Sequence, residues 1–149
     1  MSLNLFVRGA VAIGVAVATA LAGYAIADAH HADASTALGP GLVTVDVGIH
    51  YSHFSIATLH VHQGTTVRFL IHNRDPIAHE FIVGPPSVHA LHQRGTHPAH
   101  PPVPGEVSIG PDDVGETFYT FDDLGKTEFA CHLPGHLAFG MIGWIDVSA

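Results

Sequence analysis

Thr127-Glu128-Phe129-Ala130-Cys131-His132-Leu133-Pro134-Gly135-His136-Leu137-Ala138-Phe139-Gly140-Met141 runs from an alternating segment into a short loop and holds the chain's single cysteine. Thr127, Phe129 and Cys131 fall on one face of a strand, so the thiol should point into the core at the strand's end. Pro134-Gly135 should turn the chain so that His136 faces back toward the sulfur. Gly140 then lets Met141, the only methionine apart from the initiator, approach from the start of the next strand. A lone buried cysteine is ordinarily a small apolar residue. The loop that follows this one argues otherwise: a thiolate, an imidazole and a thioether form a soft donor set, suited to copper more than to zinc or magnesium.

A fourth donor should be a histidine on a neighbouring strand. His79 fits best, because it follows Pro76, opens a strand and shares a face with Phe81 and Val83. Other period-two segments surround it. Val43, Val45 and Val47 alternate with Thr44 and Asp46. Leu59 and Val61 alternate with His60 and His62, and Gln63-Gly64 then joins them to Val67, Phe69 and Ile71 in an expected hairpin. Val107 and Ile109, Phe118 to Phe121, Thr127 to Cys131 and Met141 to Val147 complete about eight short strands. A short helix is expected from Ser87. Such a pattern predicts an all-β antiparallel sandwich or barrel.

His79-Glu80-Phe81, followed far downstream by Phe129-Ala130-Cys131-x4-His136-x4-Met141, resembles the type 1 copper signature of the cupredoxin (blue copper) family. The resemblance spans Leu42 to Val147. It implies a Greek-key sandwich of eight strands and one type 1 copper held by His79, Cys131, His136 and Met141. The long Cys-to-His spacing is similar to rusticyanin-like and nitrite-reductase-like loops rather than to the shorter plastocyanin loop. The stretch from His79 to Cys-x-x-Pro-Gly-His also resembles exported cupredoxins linked to copper tolerance. Glu80 stands where several family members carry an amide that braces the thiolate loop. Asn73 is the candidate for an equivalent brace.

Composition narrows the remaining choices. The net charge of −8 and five scattered basic residues argue against nucleic acid as a partner, since a phosphate backbone needs clustered cations. One cysteine excludes an intrachain disulfide, a c-type haem attachment, a four-cysteine zinc site and a two-thiolate copper centre. Arg8 is followed by an uncharged, Ala- and Val-rich run from Gly9 to Ala27, which ends in the small-x-small site Ala25-Ile26-Ala27. Residues 1–27 therefore read as an export helix. It is either a cleaved signal peptide or a retained membrane anchor, being close to the roughly 20 residues a span needs. Either leaves the rest exported, to the periplasm or beyond the cell. Residues 28–41 read as a linker and 42–148 as the copper domain.

The expected function is one-electron transfer at that copper, with a redox partner docking near His136. Leu133, Pro134, Leu137, Ala138 and Phe139 should form an apolar patch there. An enzyme is not expected, because turnover would need a second, substrate-accessible copper. The alternative is copper buffering or tolerance, using the same site plus a His-rich connection. His89, His92, His97 and His100 are its candidate auxiliary metal ligands, among fourteen histidines in all. The preferred expectation for that connection is a solvated loop without a stoichiometric site.

Overall fold

Alternation with a period of two builds most of the described chain. The elements are β1 (Gly41–His50), β2 (His53–Phe54), β3 (Thr58–His62), β4 (Thr65–Asn73), β5 (His79–Gly84), α1 (Pro86–His92), β6 (Glu106–Ile109), β7 (Val114–Phe121), β8 (Gly125–Ala130) and β9 (Ile142–Ser148). The computed structural model describes residues 37–95 and 103–149. The expected export helix or anchor of residues 1–27, the linker through residue 36, His97 and His100 all lie outside the described residues.

The strands form two sheets, ordered β2-β1-β4-β7 and β3-β9-β8-β5-β6. This is the all-β two-sheet sandwich that the strand pattern anticipates. β4 buries every second side chain, which turns Val67, Phe69 and Ile71 inward with Val47 and Ile49 of β1. Phe81, Val83, Phe129, Ile145 and Val147 of the second sheet complete the same core. Phe81 is the hub of an aromatic cluster, 4.9 Å from Phe69, 5.3 Å from Phe129 and 5.5 Å from Phe54 between ring centroids. Each such pair adds about 0.5–1.5 kcal/mol beyond its buried area. All six residues of β5 are buried, because α1 lies against it and Val88 sits over Gly84.

Two expectations are corrected. The sheets are mixed rather than antiparallel, since β1 pairs parallel with β4, and β3 parallel with β9. The segments either side of Gln63-Gly64 are not a hairpin. Gln63 donates its N–H to the Ser148 carbonyl (2.7 Å) and Gly64 donates to Phe121 (2.8 Å), so the turn hands the chain from one sheet to the other.

The second sheet positions the site. β8 lies between β5 and β9, with Ala130 opposite both Ile82 and Ile142. The start of β5, the end of β8 and the start of β9 therefore meet at one end of the sandwich.

Candidate metal centre

Cys131 follows the last residue of β8 and is fully buried. Its N–H donates to the Met141 carbonyl (3.0 Å), and Met141 donates its own N–H to the His136 carbonyl (3.2 Å). The loop thus closes on itself through two backbone bonds. Gly135 at φ +88° and Gly140 at φ +94° occupy backbone conformations that L side chains rarely adopt, as the reading of Pro134-Gly135 and Gly140 requires. Between them, His136 and Gly140 donate to the Leu133 and Leu137 carbonyls (3.0 Å each), a helical winding that directs the His136 ring inward.

The outcome is a convergence of donors. His136 Nδ1 lies 3.3 Å from Cys131 Sγ and 3.1 Å from His79 Nδ1. One donor atom from each of these three residues lies within 4.8 Å of the others. His79 is 1% exposed, whereas His136 is half-buried and nearer the surface. Met141 is fully buried, and its backbone is bonded to those of Cys131 and His136.

His79 is oriented by a residue that the sequence reading did not single out. Its Nε2 lies 3.0 Å from Asp75 Oδ2. A carboxylate can only accept, so Nε2 carries the proton and Nδ1 presents a lone pair to the cluster. Asp75 is itself held by the N–H groups of Tyr51 and Ser52, each at 2.7 Å. Both residues have left-handed backbone (φ 52° and 55°), which points two successive amides at one anion. Burial alone would raise the Asp75 pKa, but these amides and His79 outweigh it and leave the carboxyl below its ordinary value. Burial lowers the His79 pKa against the opposing pull of Asp75, and the neighbouring His136 lowers it further. The ring is therefore kept neutral, as a metal ligand must be.

Asn73 is a brace, though not for the thiolate loop. Its Nδ2 bridges the carbonyls of Ile77 (2.8 Å) and Gly110 (2.7 Å), and its Oδ1 accepts from Asp75 N–H (3.0 Å). It fixes the turn that presents Asp75 and His79. The sulfur is steadied instead by the backbone N–H of Glu80, at 3.4 Å. Burial pushes the Cys131 thiol pKa up, while the N–H groups of Glu80 and Leu133 act in the opposite sense. A cation that replaces the thiol proton relieves the cost of burying this group. Two imidazoles and a thiol whose donor atoms converge, on a loop that ends in a buried thioether, fit copper by donor chemistry.

The histidines of the connection differ from the solvated loop expected for them. His89 and His92 lie on α1 with their rings turned inward, 3% and 4% exposed. His89, His132 and Glu128 form a second group of donor atoms that converge within 4.8 Å. His132 and Glu128 were not anticipated.

No protein-family model matches the chain. It is 37% identical over 135 residues to the copper-resistant cuproprotein CopI of Rubrivivax gelatinosus, covering 84% of this chain and 82% of that one. Among solved structures, a dithionite-reduced auracyanin from the photosynthetic bacterium Roseiflexus castenholzii superposes with a TM-score of 0.60 at 21% identity, over 71% of this chain and 97% of that one. Rusticyanin variants superpose with a TM-score of 0.55 at 19% identity, over 79% of this chain and 84% of theirs. At such identities the structural likeness is one of fold, that of the cupredoxins. The identity to the Rubrivivax protein extends along most of both chains, and on that ground this chain belongs to the CopI family.

Proposed function

We propose that this cupredoxin is a one-electron carrier acting outside the cytoplasm, with copper held by His79, Cys131, His136 and Met141. The convergence of the His79 and His136 rings on the Cys131 sulfur carries the reading. Copper is the cofactor, and when bound it supplies exchange of one electron between its Cu(I) and Cu(II) states. The chain supplies the rest. Asp75 holds His79 in the tautomer that offers Nδ1, and burial of Cys131 and Met141 keeps water from the sulfur atoms. Two backbone bonds across the Cys131–Met141 loop restrain both ends of the ligand set, so little rearrangement accompanies a change of charge.

His136 is the route to the surface. Phe139, 72% exposed, stands near it with exposed Pro134 and Ala138, and a redox partner would dock on this apolar ground. With a net charge of −8, a basic partner is favoured. In this reading the chain is not an enzyme, because four protein ligands leave no coordination position for a substrate.

The second reading is copper tolerance, favoured by the family's description as copper-resistant cuproproteins. Redox cycling separates the two. Repeated reduction and oxidation of the copper-loaded chain beside a Cu(I) chelator should leave one copper per chain if it is a carrier. Surrender of the metal to the chelator in the first reduced phase would favour copper handling.

A further inference from the structure

We propose that the chain carries a second, thiolate-free metal site, formed by His89, His132 and Glu128, that takes a divalent ion of the Cu(II) or Zn(II) class. It stands apart from the thiolate centre and does not depend on the function assigned to it. His89 comes from α1, Glu128 from β8, and His132 from the residue directly after Cys131.

Hydrogen-bond roles carry the argument. His89 Nε2 lies 3.1 Å from the Glu128 backbone carbonyl, which can only accept, so Nε2 bears a proton. In the neutral ring Nδ1 is then a lone pair. It faces His132 Nε2 at 2.9 Å and the Glu128 carboxylate Oε1 at 3.5 Å. Lone pair and carboxylate are both acceptors, and a single proton on His132 Nε2 can serve only one of them. A cation serves all three donors. Ligands at 2.0–2.2 Å from a tetrahedral ion stand roughly 3.3–3.5 Å apart, so small adjustments suffice. The N–H of a metal-bound histidine donated to a backbone carbonyl is also the usual support for such a ligand.

Burial points the same way. His132 is 8% exposed, and among the described residues its Nδ1 has no hydrogen-bond partner, so the bond from Nε2 to His89 accounts for only half of this buried ring's polar atoms. His92, paired with Glu106 at 3.0 Å, stacks on His132 with centroids 6.0 Å apart and adds a second carboxylate to the surroundings. A surface groove of about 390 Å³, lined by Gln93, Leu133, Pro134, Leu137 and Ala138 among others, reaches His132, one of the three donors. Two imidazoles and a carboxylate are borderline and hard donors, unlike the soft thiolate set.

Metal counting with electron paramagnetic resonance on the full chain tests the site. After one equivalent has filled the thiolate centre, further Cu(II) should bring the content to two per chain. The second signal should have the wide copper hyperfine splitting of a nitrogen and oxygen site. Zn(II) should compete for it without bleaching the thiolate band. His89→Gln and Glu128→Gln should each weaken the second equivalent at least tenfold and leave that band intact, which also reports that the variants fold. His97→Ala with His100→Ala should leave it bound. A content that stays at one, or a second equivalent lost only with His97 and His100, would overturn the proposal and leave a hydrogen-bonded histidine pair. Should either variant fail to fold, Co(II) added to the copper-loaded wild type must broaden the imidazole resonances of His89 and His132. Broadening elsewhere alone would overturn it equally. Absence of the thiolate band from wild type would sink the electron-carrier reading while leaving this site testable with Zn(II).

Discussion

Asp75 makes no expected contact with metal, yet four groups converge on its carboxylate: the Tyr51 and Ser52 amides, the His79 ring and, at 3.5 Å, the His50 ring. Asp75→Ala frees that ring to rotate and should weaken copper binding by about 10–100-fold, read by competition against a chelator of known affinity. Asp75→Asn, which keeps an acceptor for Nε2, should recover part of the loss. His132 gives a pH dependence. Burial first, and then the neighbouring His89 and His92, bring its pKa down to about 4 from an ordinary 6.5. The unfolded chain therefore binds more protons below pH 6.5. Stability present at neutral pH is lost as pH falls from 6.5 toward 4, by on the order of 3 kcal/mol. His79, shifted the same way, adds to the loss. Thermal unfolding of the metal-free chain should follow this course, and His132→Gln should flatten it. A melting temperature unchanged between pH 7 and 4.5 would contradict it. His79, Cys131 and His136 were legible in the sequence because each residue type carries its own chemistry. Asp75, Glu128 and His132 were not, because an acid or an imidazole gains meaning here only from the strand it faces.

At the level of elements, β8 and β9 join through an uneven pair, Phe129 opposite Gly143. The Phe129 ring lies over the glycine so closely that an added Cβ would overlap it. Gly143→Ala must push that ring into Phe54 and Phe81, its aromatic neighbours. A loss of about 1–3 kcal/mol is expected by denaturant unfolding of the metal-free chain. A neutral effect would mean that the core around Phe129 yields more easily than its packing implies. A short helix was expected from Ser87, one residue past its observed start at Pro86, and the strands themselves could be read from their period of two. Their partners could not. Alternation says that one face of β3 and of β4 is buried, but not that Gln63 and Gly64 would bond to strands in different sheets. The hairpin reading failed there for that reason. His89 and His92 were misjudged likewise: prolines and histidines around them look solvated until α1 is seen lying along β5.

For the whole molecule, the sandwich acts as a frame that brings two distant stretches of sequence to one end. β5 delivers His79, and the β8–β9 connection delivers Cys131, His136 and Met141. Stability and site geometry are thereby coupled, since the Cys131 and Met141 backbones that close the loop also continue the ladder between β8 and β9. The family resemblance carried the fold class because its spacing pattern samples this frame at both ends. It said nothing of the parallel pairings, or of the second group formed by His89, Glu128 and His132. The most direct test is the visible spectrum and metal content of the full chain after reconstitution with Cu(II). An intense thiolate-to-Cu(II) band, present in wild type and gone in Cys131→Ser, is the predicted result. A colourless wild-type protein, or a band that survives Cys131→Ser, would contradict it.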